Sequence, residues 1–588
     1  MNQILRVDMT TGRCVFQPRP APLSGLGGRG LTSALTALET PAAAEPLGPR
    51  NRLIFAPGLL GGTNCANSGR ISVGAKSPLT GGVKEANSGG QPGGHLARLG
   101  LSALIVEGQA PDGELQILEI SRDGARLVPS TVTGLNNYPA AEALQARYGP
   151  AVSLILIGRA GEMRLAASSV AFTDVSGAPT RHAGRGGLGA VMGAKGLKAV
   201  ALDPTGCPNP PLRDPEAFRR AADRFVAALK SHPVCGGSLA EYGSAAMMGL
   251  FDEAGALPTR NFSSGRFERA EALSGERLRA LTEERGGQGR IRKGCMTGCV
   301  MRCSGDFPDV HGRLVGKWPD FETLWSFGPN VGVDDLDAVA RFGRLCDDLG
   351  VDTIDVGASL ALLMEAGVLP FGDAAGALRL VEEIGQGSPL GRLVGSGAAV
   401  VGKVYGLRRV PQVKGQALSA FDPRSVKGQG ATFATSPQGP DHTAGLSYAA
   451  NLLAAGGDVD PLQREGQADL SRRSQVMAAA VDALGLCLFV SFAFFDTPSA
   501  LEAVADMLNA RHGWSLTVND LETLGEKILK IELAFNRRAG LTEAADRLPE
   551  FFASETSDVH GSTFDLSEEE LDSVLGDLKG RDLTKDAD

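Results

Sequence analysis

A chain of 588 residues is too long for one hydrophobic core, and two to four domains are expected. Its 43% hydrophobic and 21% charged residues are those of a soluble globular protein. A net charge of -9 without a basic run argues against nucleic acid or an anionic membrane surface as partner.

Glycine contributes 78 of 588 residues, about 13% where about 7% is usual. The glycines are dispersed, so they point to tight turns and to places where backbone comes close to a ligand. The chain opens on MNQILRVDMTTG, which predicts a hairpin and has none of the pattern of a secretory signal. Clustered thiols without such a signal fit a reducing cytoplasm.

Residues 1–208 are expected to form a β-rich domain. Short apolar runs recur between glycine turns at Asn51–Ala56, Ser102–Glu107, Gln116–Ile120 and Val152–Ile157. A glycine-rich region from Asn67 to Gly90 holds the cations Arg70 and Lys76, and by itself it reads as a set of surface turns. A second, Gly184-Arg-Gly-Gly-Leu-Gly189, matches GxGxxG, with Asp203 about 20 residues on. It follows Ala178-Pro-Thr-Arg-His-Ala rather than an apolar strand, so a nicotinamide site is not expected. The loop can still hold phosphate through its N–H groups and the flanking Arg181 and Arg185.

The chain turns Pro-rich near residue 208 and helical periodicity follows. Residues 209–412 and 413–588 are expected to be two mainly α-helical domains. Asp214–Lys230 and Val333–Leu349 read as amphipathic helices, with Asp334 and Asp335 placed where the helix dipole favours negative charge. Leu566–Leu578 reads as an acidic helix with a capped start at Ser567. Met477–Phe495 is nearly a membrane span in length, but Asp482 within it points to a buried helix-turn that carries ligands. No repeat at a period of 20–50 residues is visible.

The densest chemistry is Cys295-Met-Thr-Gly-Cys299-Val-Met-Arg-Cys303, with Cys487 far downstream. Three clustered thiols and one distant thiol suit an iron–sulfur cluster held between two parts of a fold. A structural zinc site is the alternative from spacing alone. Two hexads share D-x-x-G-(L/V)-(C/D): Asp347-Asp-Leu-Gly-Val-Asp352 and Asp482-Ala-Leu-Gly-Leu-Cys487. Each places an acidic residue at a helix end and a Gly three residues on. Two copies suggest a ligand with two similar halves.

Taken in order, Ile4-Leu-Arg-Val-Asp8, Gly27-Gly-Arg-Gly-Leu31, Arg70, Lys76-Ser-Pro-Leu-Thr-Gly81, Asn87-Ser-Gly-Gly90, Gly184–Lys195, the cysteine cluster, Phe321-Glu-Thr323, Gly328-Pro-Asn330, both hexads and Phe421-Asp-Pro-Arg424 resemble the aldehyde ferredoxin oxidoreductase family over nearly the full length. The resemblance implies an α+β multidomain fold, β-rich first and helical after, with the cofactor at the interface. It also implies a tungsten (or molybdenum) bis-pterin, a 4Fe–4S cluster ligated by Cys295, Cys299, Cys303 and Cys487, and a magnesium ion that bridges the pterin phosphates through main-chain groups at Asn87 and Ala183. Cofactor contacts would come from Arg70, Asn87, Ala183, Gly184, Arg185, Asp347, Asp352, Asp482 and Leu486, with Asp347 and Asp482 binding one pterin each. Glu322 would act as base and His442 as hydrogen-bond donor; taken alone, His442 reads as a surface-loop histidine.

The implied reaction oxidises an aldehyde to a carboxylic acid. Electrons would pass to ferredoxin or to a small ferredoxin-like subunit, from a homodimer or hetero-oligomer. Three departures stand out: three residues instead of two in the first cysteine gap, Phe321 where Tyr is frequent, and Ser-Pro-Gln-Gly-Pro-Asp before His442. The last two lie where a substrate would sit. They keep open a non-aldehyde substrate or a reductase, and beyond those a non-catalytic 4Fe–4S electron carrier or redox sensor.

Overall fold

The computed structural model describes residues 3–579. Residues 3–202 form two six-stranded sheets. The first contains β1 (Gln3–Asp8), β2 (Arg13–Pro18), β3 (Leu53–Pro57), β4 (Ile71–Lys76), β5 (Val83–Ser88) and β6 (Leu101–Glu107) in the order β2-β1-β6-β3-β4-β5. The second contains β7 (Gln116–Ser121), β8 (Gly124–Pro129), β9 (Ser153–Leu156), β10 (Val170–Phe172), β11 (Arg181–Ala183) and β12 (Leu197–Leu202) in the order β8-β7-β12-β9-β10-β11. The two orders are the same once six is added to each strand number. So are the directions: β1 runs parallel to β6 and β7 to β12, and the other neighbours are antiparallel. A twelve-residue helix precedes the third strand of each sheet (Gly28–Glu39, Asn137–Tyr148), and a seven-residue helix precedes the sixth (Pro92–Arg98, Leu188–Ala194). The β-rich region is an internal duplication with a period near 100 residues.

Strand alternation explains how the duplicated units pack. Leu53 and Phe55 of β3 point into a core shared with Ile155, Phe172 and Val200 of the second sheet. Ile54 and Ala56 point the other way, onto Leu31 and Leu35 of the helix Gly28–Glu39. In the second sheet, Leu154 and Leu156 face Ala140 and Leu144 of the helix Asn137–Tyr148. The layers are therefore helix, sheet, sheet, helix. Central strands covered on both faces read as unbroken apolar runs rather than alternating ones.

Residues 203–214 form no helix or strand, and mainly helical structure follows. The helix Pro215–Ser231 begins where Asp214 accepts a hydrogen bond from the Ala217 N–H at 2.9 Å. The helix Leu336–Leu349 begins where Asp335 accepts one from Asp337. Ser567 and Glu570 form the expected capping box at the helix Glu568–Val574. One large core runs through this region, from Leu59 to Leu571. It contains a three-stranded sheet that sequence reading did not anticipate: β13 (Arg290–Lys293), β14 (Ser304–Pro308) and β15 (Leu314–Lys317). Cys295, Cys299 and Cys303 all lie in the connection between β13 and β14.

Among the described residues no helix is long and apolar enough to cross a membrane. The apolar stretch Met477–Phe495 is broken at Gly485, between the helices Gln467–Leu484 and Ser491–Asp496, and most of it is buried.

Candidate active site

Both hexads end a helix in the same way. Gly350 and Gly485 adopt left-handed φ values of +73° and +75°, which a side chain would strain. The following N–H reaches back five residues, Val351 to the Cys346 carbonyl at 3.1 Å and Leu486 to the Val481 carbonyl at 3.2 Å. This is the Schellman closure. Each turn docks on one half of the duplication. Gly58, just after β3, lies so close to Gly485 that any Cβ would collide with its backbone; Gly158, just after β9, stands in the same relation to Leu349. The Arg70 N–H donates to the Gly485 carbonyl at 3.2 Å, and the Ser169 N–H donates to the Gly350 carbonyl at 2.8 Å. The N-termini of the two twelve-residue helices meet the same places: Gly28 abuts the Asp482 carbonyl, and Asn137 donates to the Asp347 carbonyl at 2.8 Å.

The two buried carboxylates that result face one cleft, which encloses about 1940 Å³ of atom-free space when its open mouth is counted. Asp482 accepts from Asn87 Nδ2 at 2.9 Å and pairs with Arg29 at 3.3 Å. Asp347 lies 3.3 Å from His182 Nε2 and 3.4 Å from Lys317 Nζ. Position six of the hexads differs. Asp352 caps the helix Thr353–Glu365, accepting from Ile354 and Asp355, and pairs with Arg185 at 3.3 Å. Cys487 instead turns its thiol toward the cysteine loop.

That loop is pinned to the first glycine-rich region. Asn67 is fully buried: its amide oxygen accepts from the Val300 N–H at 3.1 Å, its carbonyl accepts from the Cys487 N–H at 2.9 Å, and its Nδ2 lies 3.7 Å from Cys299 Sγ. A hydrogen bond with Cys299 and the charges of Arg181 and Arg70 lower the Cys295 pKa against the effect of burial. Burial raises the thiol pKa of Cys487, and the charge of Cys295 raises it further. Among the described residues no His, Cys, Asp or Glu group closes tightly enough for a single metal ion. The thiols of Cys295, Cys303 and Cys487 share the cleft lining instead, and Cys299 lies beside Cys295 and Cys303.

The same cleft is lined by Glu322 and His442, 3.7 Å apart and with side chains 15% and 25% exposed. Glu322 lies in the first turn of the helix Phe321–Phe327, which Asp320 caps. Burial raises its pKa above the usual carboxylate range, and Asp320 adds to this while His442 opposes it. His442 ends a loop tied to both halves of the duplication. From the first half, the Lys84 ammonium donates to the Gln438 carbonyl at 3.0 Å and pairs closely with Asp441, and the Glu85 N–H donates to Gln438 Oε1 at 2.6 Å. From the second, Arg185 donates to the Pro440 carbonyl at 2.7 Å.

The structure brings Arg70, Asn87, Gly184, Arg185, Asp347, Asp352, Asp482, Cys295, Cys303, Cys487, Glu322 and His442 to this cleft. Cys299 does not line it, Ala183 is buried at the end of β11, and Leu486 packs in the core with its side chain away from the lining. The reading of Asn67–Gly90 as surface turns is wrong. Asn67, Ser68 and Ser88 are buried because the helical region folds over this segment. Lys76 does not join Arg70; its ammonium bonds the Ala42 carbonyl elsewhere. Arg29, Glu85, Lys317 and Tyr448 line the cleft without having been assigned. Arg29 sits within the Gly27-Gly-Arg-Gly-Leu31 segment; the other three carry no local signal.

Family models described as "Aldehyde ferredoxin oxidoreductase, N-terminal domain" and "Aldehyde ferredoxin oxidoreductase, domains 2 & 3" match residues 4–204 and 220–577. The chain belongs to the aldehyde ferredoxin oxidoreductase family. A tungsten-containing aldehyde ferredoxin oxidoreductase of Thermococcus kodakarensis is 33% identical over 580 residues, 94% of this chain and 91% of that protein. Its counterpart in Pyrococcus furiosus is 32% identical over 582 residues, with the same coverage. The aliphatic sulfonate oxidoreductase WOR-like subunit of Pyrococcus furiosus is 24% identical over 549 residues, 86% of this chain and 81% of that one. The fold is shared with the active-site complex BamBC of benzoyl coenzyme A reductase, at a TM-score of 0.80 and 20% identity over 99% of this chain and 94% of that chain.

Proposed function

We propose that the protein is a tungsten bis-pterin, iron–sulfur enzyme that oxidises an aldehyde to a carboxylic acid. The observation that carries this reading is the juxtaposition of a doubled cradle, the thiols of Cys295, Cys303 and Cys487, and the Glu322–His442 pair on one cleft. Its lining fits a large polar cofactor. Arg181 Nε, Glu85 Oε1 and His442 Nδ1 are buried without protein partners, the mark of groups that await a ligand. A Cβ on Gly184 would meet no protein atom closer than 3.7 Å, whereas one on Gly89 would press on Cys295 Sγ at 3.2 Å. Backbone is thus left bare beside open space and beside the thiols.

Asp347 and Asp482 would accept hydrogen bonds from one pterin each, with Arg70, Asn87, Ala183, Gly184, Arg185, Asp352 and the main chain at Leu486 completing the two halves. Main-chain groups at Asn87 and Ala183 would hold a magnesium ion, which would supply positive charge against the pterin phosphates. Cys295, Cys299, Cys303 and Cys487 would hold a 4Fe–4S cluster. When bound, the pterin-held metal supplies the two-electron sink. Glu322, with its raised pKa, takes a proton from the water that attacks the aldehyde carbon. His442 donates to the carbonyl oxygen as charge grows there. One aldehyde and one water become one carboxylic acid, two protons and two electrons. A cluster held in part by Cys487 would stand next to the hexad Asp482–Cys487 and would supply the electron outlet, with ferredoxin or a small ferredoxin-like subunit as acceptor.

The test is an aldehyde panel with a viologen dye on anaerobically purified protein, with Glu322→Gln alongside. Dye reduction by the native enzyme and its collapse in the variant at unchanged metal content support the reading. Equal rates in the two would remove Glu322 from the chemistry.

A further inference from the structure

The Glu322 end of the cleft is walled by aromatic side chains to which the chemistry above gives no part. Tyr448, the first residue of the helix Tyr448–Leu452, is buried and lines the cleft. Its ring stacks on Phe421 at 5.0 Å and 13°, and meets Phe251 edge-on at 5.4 Å and 72°. Phe251 in turn stacks at 5.4 Å on Phe321, the residue before Glu322. One aromatic cluster therefore packs both the phenol and the residue that precedes Glu322.

The phenol is incompletely bonded. Its hydroxyl donates to the Met247 thioether sulfur, at 3.9 Å. Thioether sulfur is a weak acceptor, and a buried hydroxyl without a good acceptor is costly. Burial, and then the nearby charge of Glu322, push the phenol pKa well up, so the group stays protonated and able to donate. Phe421 and Leu446 share the lining with it and bring no charge.

We propose that Tyr448 donates a second hydrogen bond to the substrate carbonyl oxygen, alongside His442, and that its ring, Phe421 and Leu446 select aldehydes bearing an uncharged aryl group. This rests on the assignment of Glu322 and His442 above. The hydroxyl exchanges a poor sulfur partner for an oxygen on which negative charge develops, so the bond strengthens as water adds to the carbonyl. A carboxylate-bearing aldehyde would have to desolvate its charge against the apolar wall.

The experiment uses anaerobic holoenzyme, with rates normalised to bound tungsten so that a partly loaded variant still decides. Benzaldehyde and glyoxylate are the substrates, and benzamide, a neutral aryl carbonyl, is the calorimetric probe of binding. In the native enzyme benzaldehyde should exceed glyoxylate in kcat/KM by about 100-fold or more. Tyr448→Phe should lower kcat/KM for benzaldehyde by about 100-fold, and should weaken benzamide by about fivefold. Leu446→Arg should narrow the preference for benzaldehyde by about tenfold or more. A Tyr448→Phe enzyme within twofold of native in both kcat/KM and benzamide affinity, while Glu322→Gln is inactive, overturns this proposal and leaves the assignment of Glu322 standing. A native enzyme that oxidises neither aldehyde, or a fully active Glu322→Gln, overturns both.

Discussion

The two hexads are built on one scaffold and finished differently. In each, a helix stops at a left-handed Gly, the next N–H reaches back five residues, and a glycine from one half of the duplicated region presses on the turn. The aspartate two residues before the helix end is thereby aimed at the cleft in both. Position six departs: Asp352 caps a helix and pairs with Arg185, whereas Cys487 offers a thiol beside the cysteine loop. Equivalent halves suit a ligand with two similar halves, and under the proposed function the unlike sixth residue Cys487 would give one half a route for electrons.

The largest expected break in this equivalence is at position six. Cys487→Ser should strip most of the iron and visible cluster absorbance and cut activity by about 100-fold or more, because a hydroxyl is a poor ligand for iron–sulfur. Asp352→Asn should keep the iron at the native level. Equal iron loss in both variants would mean that position six is not specialised.

Next are the shared aspartates. Asp347→Ala and Asp482→Ala should each lower tungsten occupancy about tenfold, from loss of hydrogen bonds to a charged acceptor worth about 1.5–3 kcal/mol. Similar losses support equivalent halves; a loss confined to one would make the cradle functionally single.

Gly58→Ala and Gly158→Ala should each destabilise the protein by about 1–3 kcal/mol, since a methyl group collides with backbone that cannot turn aside. Thermal melting would register a drop of a few degrees in both. Gly184→Ala, which meets no protein atom within 3.4 Å, is the matched control: melting of metal-free protein should not move while cofactor occupancy falls.

The smallest effect is on pH dependence. Glu322 acts as a base only when ionised, and its pKa is raised, so kcat/KM should fall as pH drops through a value above the ordinary glutamate range. Below that value the carboxyl is protonated and cannot accept the water proton; above it the limb is flat. An acid limb at or below the ordinary glutamate pKa would place Glu322 in a more polar setting than the cleft provides.

Much of the site was legible from sequence because its chemistry is local. Asp347 and Asp482 stand three residues before a Gly that the helix stop requires, and three thiols fall within nine residues. The duplication was not legible. Its period is about 100 residues, and its counterpart strands, such as Leu53–Pro57 and Ser153–Leu156, share little beyond being apolar. The burial of Asn67 and Ser88 was hidden for another reason: glycine-rich polar turns are usually exposed, and only the docking of the cysteine loop and the second hexad covers these. Tyr448 reaches the cleft through contacts with Phe251 and Phe421, residues 197 and 27 positions away, which no local pattern encodes.

The central claim is that two matching half-sites hold one doubled organic cofactor beside four thiols. Pterin and iron, counted per chain in protein purified without air, test it most directly. The account predicts two pterins and four irons. One pterin or none would contradict it.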